Sequence, residues 1–174
     1  MTKKEFMDSV SNGQEDIVQQ LLDLLNEIKI DYCVIGGLGV NAYVEPVVSL
    51  DLDIVVVAEA IDKLIKAVEK IFKIEKFPHS FNLTSSKSDL RIQVQIDSRY
   101  QPFISRSLIK DIMGYKMKVA AIEDVLQGKI WAYSDEQRRK SKRQKDLADI
   151  FRLVETYPNL KDLLPDPIKT EFQD

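Results

Sequence analysis

The chain has 174 residues, enough for one domain, and its 44% hydrophobic and 30% charged content predicts a packed core while excluding a disordered or collagen-like polymer. No apolar run approaches the roughly 18 residues of a membrane span, and Met1-Thr2-Lys3-Lys4 leads into Glu5 rather than into an apolar targeting segment, so a cytoplasmic protein without a membrane partner is expected. A single cysteine, Cys33, excludes an intrachain disulfide, a zinc ribbon and a CxxC redox pair, which leaves oxygen as the donor for any metal.

Ile17, Leu21, Leu25 and Ile28 recur at helical spacing with Val18, Leu22 and Leu24 beside them, predicting an amphipathic helix over about residues 14–28. Residues 31–35 read as a short buried strand stopped by Gly36-Gly37. Only a brief helix fits between Gly37 and Tyr43, because Pro46 disfavours helical geometry at Glu45. Residues 51–57 turn β-branched after Asp53 and predict a central strand. Ile61, Leu64, Ile65, Val68, Ile71 and Phe72 then give a clean helical stripe.

Residues 81–84 and 90–97 read as strands, the second alternating Arg91, Gln93, Gln95 and Asp97 against Ile92, Val94 and Ile96. Residues 109–113 and 115–120 flank Gly114 and predict a hairpin, followed by helices over 122–133 and 136–156 and a tail divided by Pro158, Pro165 and Pro167. This order implies an α+β domain with a mixed β-sheet flanked by helices. A single domain, 1–174, is expected, with an N-terminal helical segment (1–30), an α/β core (31–120) and C-terminal helices (121–174).

Two motifs could carry chemistry. Gly37-Leu38-Gly39-Val40-Asn41-Ala42 matches a dinucleotide fingerprint, with Glu59 downstream for a ribose. The eight residues from Leu38 to Glu45, however, are too few for the crossover helix that such a unit needs. Asp51-Leu52-Asp53, at a strand start, projects both carboxylates from one face by the two-residue period. Paired carboxylates suit a hard divalent cation completed by phosphates and water, and equally a solvated strand end.

Taken together, Ile35-Gly36-Gly37-Leu38-Gly39-Val40-Asn41-Ala42 and Ser49-Leu50-Asp51-Leu52-Asp53-Ile54 resemble the signature of the nucleotidyltransferase superfamily, whose fold is shared with DNA polymerase beta. Residues 122–129, ending on Lys129, and Lys145-Asp146-Leu147-Ala148-Asp149 are similar to the small bacterial toxin-system members of AbiEii type. The resemblance spans about residues 32–154. It implies a nucleotidyltransferase fold and a protein that binds a nucleoside triphosphate with Mg²⁺, or Mn²⁺, and transfers a nucleotidyl group to an acceptor hydroxyl. It further implies catalytic Asp51, Asp53 and Lys129, nucleotide contacts from Gly36, Gly37, Ser49, Lys129 and Asp146, and metal ligation by Asp51 and Asp53.

Three positions depart from the family pattern. Val47 and Ser49 stand where relatives often carry arginine and threonine. Gln95 stands where a third acidic ligand is expected on the neighbouring strand, with Asp97 two residues on as its substitute in the metal set. Competing expectations are therefore a catalytically weakened nucleotide-binding or antitoxin-like regulatory module, and a small-molecule nucleotidyltransferase of aminoglycoside type.

His79 reads as a loop surface residue, and Cys33 and Trp131 as core. Residues 138–145 hold six positive charges and no acid, on a body that carries −9 without them. Within that tract Arg138, Lys142 and Lys145 form one helical stripe, suited to nucleic-acid phosphates such as those of tRNA. A cognate toxin or antitoxin protein is the other partner that the resemblance implies.

Overall fold

The computed structural model describes residues 1–173. An α-helix, α1 (Lys3–Val10), opens the chain behind a capping box in which Thr2 and Glu5 satisfy each other's backbone N–H groups. Helix α2 (Ile17–Glu27) starts at Asp16, whose side chain accepts from the Gln19 N–H. Then follow β1 (Tyr32–Ile35), a six-residue α3 (Gly36–Asn41), β2 (Asp51–Val56), α4 (Ile61–Val68), and the strands β3 (Lys73–Lys76), β4 (Ser80–Ser85) and β5 (Ser88–Gln95). A 3-10 segment, Ser98–Arg106, leads to the hairpin β6 (Leu108–Ile112) and β7 (Tyr115–Val119), then to α5 (Ile122–Ser134) and α6 (Lys140–Thr156). The tail packs as 3-10 turns and one short helix, α7 (Asp166–Lys169).

All seven strands form one mixed sheet in the order β3-β4-β5-β2-β1-β7-β6. The β1–β2 pair is antiparallel, whereas β2–β5 and β1–β7 are parallel. The antiparallel β1–β2 pair removes the dinucleotide reading, because a phosphate-binding crossover joins parallel strands.

Alternation along β1 and β2 divides the interior into two cores. Tyr32, Val34, Leu52, Ile54 and Val56 pack with α1, α2 and α4, while Cys33, Ile35 and Val55 pack with the 98–106 segment, α5 and α6. Asp51 and Asp53 share the second face with Val55, at the end of the sheet where apolar side chains give way to polar ones.

Several boundaries differ from expectation. Strand β3 is an exposed edge with the sequence Lys-Ile-Glu-Lys, whose charges blunt the edge and hide any alternation. Residues 136–139 are not helical, since Arg139 is extended and α6 begins at Lys140. Strand β5 ends at Gln95, so Asp97 lies outside it and instead caps the 98–106 segment by accepting from the Arg99 N–H. Trp131 is half-buried, bordering an open cleft, and so is not simply core.

Candidate active site

Strand β1 runs into Gly36, which adopts φ +68° and turns the chain into α3. Ile35 pairs with Asp53 across the β1–β2 ladder, so the turn lies beside the Asp53 carboxylate. A Cβ at position 36 would overlap that carboxylate, and only glycine satisfies both the left-handed backbone and the close approach. At Gly37 a Cβ would meet the Ser49 hydroxyl at an ordinary 3.6 Å. Ser49 is buried and folds back on β2, its Oγ accepting from the Asp51 N–H at 3.3 Å and donating to the Asp51 carbonyl at 3.2 Å. Gly36, Gly37, Ser49, Asp51 and Asp53 are thereby brought to one end of the sheet.

The two carboxylates have opposite environments. Arg91 donates to Asp51 Oδ1 from Nε at 2.9 Å and Nη2 at 2.7 Å, and the Lys142 Nζ lies 3.6 Å from Oδ2. Burial pushes the Asp51 carboxyl up, but the Arg91 hydrogen bonds and charge outweigh it and hold the group below the usual range. Among the described residues Asp53 has no such partner. Burial, reinforced by the Asp51 charge and only partly offset by Lys129, pushes its carboxyl up to about 6.

The parallel register corrects the expected third ligand position. Asp51 faces Arg91, Asp53 faces Gln93, and Gln95 is level with Val55. Gln95 turns its amide oxygen onto the backbone N–H groups of Ile96 and Asp97, both at 3.1 Å. Asp97 is gripped by Arg99, at 2.9 to 3.2 Å across three contacts, and borders a neighbouring cleft rather than the Asp51–Asp53 pair.

Among the described residues no group of three His, Cys, Asp or Glu side chains converges as a metal cage. The donor set of Asp51, Asp53 and the Gln93 amide fits one hard divalent cation that draws its remaining oxygens from phosphate and water.

Helices α5 and α6 close the site with a buried charge network. Lys129 Nζ lies 3.1 Å from Asp146 Oδ1 and 2.8 Å from Asp149 Oδ2. Arg138 Nε reaches Asp146 Oδ2 at 2.7 Å, and Arg152 Nη1 reaches Asp149 Oδ1 at 2.8 Å. Arg152 also donates to Asn41 Oδ1 and the Glu45 carbonyl, tying α6 to the loop after α3. Burial pulls the Lys129 ammonium down, yet Asp149 and Asp146 outweigh it and keep the group charged.

A cavity of about 90 Å³ remains, lined by Gly36, Asp53, Gln93, Tyr100, Lys129 and Arg138 among others. It opens beside a larger cleft of about 540 Å³. An open groove of about 770 Å³ bordered by Glu15, Lys70, Lys73 and Lys87 is larger still, but its cations are scattered surface lysines and it lies outside this site.

Two members of the basic stripe engage the site: Arg138, still exposed, is paired with Asp146, and half-buried Lys142 faces Asp51, while Lys145 is exposed. Sequence reasoning gave no site role to Arg91, Gln93, Tyr100, Asp149 or Arg152. Asp149, three residues after Asp146 and so on the same helical face, carried a readable signal.

The family described as "Nucleotidyl transferase AbiEii toxin, Type IV TA system" matches residues 34–174. No curated protein sequence matches the chain. Among solved structures, the chain is similar to ANT(2")-Ia in complex with adenylyl-2"-tobramycin, at TM-score 0.63 and 15% identity, over 90% of this chain and 97% of that one. It is also similar to the lincosamide antibiotic adenylyltransferase LnuA, at TM-score 0.56 and 16% identity over 81% and 98% of the two chains. A third similar structure is an antigenic nucleotidyltransferase-like protein from Paracoccidioides brasiliensis, at TM-score 0.53 and 19% identity over 80% and 74%. At these identities the likeness establishes the fold, a nucleotidyltransferase-type α+β sheet with C-terminal helices.

Proposed function

Because the chain belongs to the AbiEii nucleotidyltransferase toxin family, we propose that it binds a nucleoside triphosphate with Mg²⁺ or Mn²⁺ and transfers the nucleotidyl group to an acceptor hydroxyl. One observation carries this reading: Asp51 and Asp53 stand on one face of β2 against a left-handed Gly36 turn that leaves the Asp53 carboxylate room only because no Cβ is present.

The residues divide the work by position. Asp51 and Asp53 are the proposed cation ligands, with the Gln93 amide beside them. A divalent cation, if bound by Asp51 and Asp53, would supply neutralisation of phosphate charge for in-line attack on the α-phosphate with pyrophosphate leaving. The backbone N–H groups of Gly36 and Gly37, with the Ser49 hydroxyl, receive the β- and γ-phosphate oxygens. Arg138 and Lys142 are the cations able to swing from Asp146 and Asp51 onto phosphate. Lys129, locked between two carboxylates, is a fixed positive charge facing the phosphates, and Asp146 orients both Lys129 and Arg138.

The test is a calorimetric titration of each of the four nucleoside triphosphates with Mg²⁺, followed by label transfer from the α-labelled form of whichever binds. Saturable, Mg²⁺-dependent heat that disappears in Asp51→Asn/Asp53→Asn is expected. Absence of binding by all four overturns the assignment.

A second reading rests on the Arg91–Asp51 pair and on Gln93 opposite Asp53, which together reduce the free carboxylates to one. It is a nucleotide-binding module of weakened turnover, distinguished by binding without label transfer. The matched family is the toxin's, which leaves the antitoxin-like alternative without support; the protein partner it implies is a cognate antitoxin. For the acceptor we favour an RNA such as tRNA over an aminoglycoside-type small molecule, on the strength of the basic tract at residues 138–145.

A further inference from the structure

We infer that the cleft next to the catalytic cavity is the acceptor subsite, and that it receives an unpaired nucleobase stacked on the flat face of Arg99. The inference deepens the transfer reading and rests on it for the direction of approach.

The cleft shares Gln95, Tyr100, Ala132 and Arg138 with the cavity that contains Asp53, so a group lodged in one borders the other. Its far wall is a layered platform. The Arg99 guanidinium carbon lies 4.9 Å from the centre of the Trp131 ring. Trp131 runs parallel to Phe103, at 4° and 5.7 Å, and edge-on to Tyr100 at 78° and 5.1 Å. Asp97 fixes Arg99 from the side, with Nε at 3.1 and 3.2 Å and Nη2 at 2.9 Å. The outer surface of the guanidinium remains in solvent, its side chain 55% exposed.

That arrangement selects for a ring. Asp97 offsets the Arg99 charge and occupies its Nε–Nη2 edge, so Arg99 presents to the cleft a planar π surface and its Nη1 amino group rather than a full phosphate-binding fork. Guanidinium planes and aromatic rings are the platforms on which unstacked bases rest in single-stranded RNA complexes. For a polycationic small molecule the cleft offers little, since Asp97 is already engaged by Arg99 and Asp135, which accepts from the Gln137 N–H, is the one other carboxylate lining it.

Two further features point to a polymer end. The cleft opens to solvent, and the positively charged run of residues 138–145 starts at Arg138 on its rim. A charged track beside a stacking platform is the combination that follows a single strand.

Sheet order sets the approach. In the order β5-β2-β1, the proposed phosphate turn hangs from β1, the carboxylates stand on β2, and the cleft begins at Gln95 on the end of β5. In-line displacement puts the leaving and attacking oxygens on opposite sides of the α-phosphorus. With pyrophosphate on the β1 side, the acceptor enters from the β5 side, where this cleft lies.

Trp131 is the single tryptophan of the chain, so its emission reports on the cleft directly. The experiment titrates the protein with a five-nucleotide single-stranded RNA bearing a free 3′ hydroxyl, and with the same oligonucleotide lacking its 3′-terminal base. A saturable change in Trp131 emission is expected. The abasic end should bind roughly tenfold more weakly, as should both Arg99→Ala and Arg99→Lys, the latter keeping charge but losing the plane. Calorimetric binding of Mg²⁺-nucleoside triphosphate should be unaltered in both variants, which also verifies their folding.

Equal affinity for the intact and abasic oligonucleotides, wild-type affinity in Arg99→Lys, or a silent Trp131 overturns the subsite. If RNA binding shows the base dependence while no triphosphate binds the wild type, the transfer reading fails and the ring subsite stands.

Discussion

The Asp53 carboxylate occupies the space that a side chain at Gly36 would need, so the turn that opens α3 and the strand that carries the acidic pair are built as one unit. Gly36→Ala should fail twice. It forces a left-handed φ on a residue with a Cβ, at a cost of about 1–2 kcal/mol, and it displaces Asp53 from the proposed cation position. A lowered melting temperature together with lost Mg²⁺-triphosphate binding is the expected outcome. Gly37→Ala, whose new methyl meets Ser49 Oγ at 3.6 Å, should leave stability nearly unchanged. Equal losses in the two variants would contradict the role given to Gly36.

Asp53 gives a pH signature of definite sign. Burial raises its carboxyl to about 6 in the folded protein, so the folded state binds a proton more tightly than the unfolded chain does. That contribution to stability is complete below the unfolded carboxylate range near 4 and is lost as pH rises through about 6. Asp53→Asn removes the loss. The variant should be more stable than wild type by roughly 1–3 kcal/mol at pH 7, with the difference shrinking toward pH 4. Thermal unfolding of both proteins at pH 4, 5 and 7 measures it; a difference that grows on acidification has the wrong sign. Divalent cation affinity should rise with pH and level off above about 6, as the cation ceases to compete with the proton.

The Lys129 network predicts a structural penalty distinct from any catalytic one. Lys129→Met leaves Asp146 with Arg138 and Asp149 with Arg152, but strips a buried ammonium from between two buried carboxylates. The expected loss is about 3–5 kcal/mol in denaturant unfolding. Adding Asp149→Asn should recover part of it by removing the uncompensated charge. If Lys129→Met retains wild-type stability, the pairs are not the buried network described.

How far the site could be read from the chain depends on which interactions set it. The two-residue period alone puts Asp51 with Asp53 on one face, and Arg91 with Gln93 and Gln95 on another strand's single face. Period cannot say which of those three stands opposite Asp53, because sliding a strand by two residues preserves the face. The parallel β2–β5 register, formed between strands that are distant in sequence, decides for Gln93. The helical stripes of α2 and α4, the brief α3 and the β6–β7 hairpin were legible because local periodicity and turn residues determine them. The α5–α6 linker was not, since its extended Arg139 and the placement of Arg138 and Lys142 depend on tertiary ion pairs with Asp146 and Asp51.

That register leads to the final prediction. Gln93 is the residue beside Asp53, and its amide nitrogen donates to Ser80 Oγ at 3.3 Å, which leaves a neutral oxygen as its offering to a cation. Gln93→Asp places a third carboxylate there and adds charge to the oxygen shell. Without a cation, the crowding of Asp53 and the new Asp side chain should destabilise the fold, and Mg²⁺ should restore the loss, so stabilisation by Mg²⁺ is larger in the variant than in wild type. Cation affinity, read by Mn²⁺ paramagnetic resonance, should rise, and label transfer from the α-labelled triphosphate with it. The matched substitution Gln95→Asp, level with Val55 and beyond the pair, should leave the Mn²⁺ affinity unchanged. If Gln95→Asp tightens the cation and Gln93→Asp does not, the third ligand position lies two residues further along β5 than the register puts it.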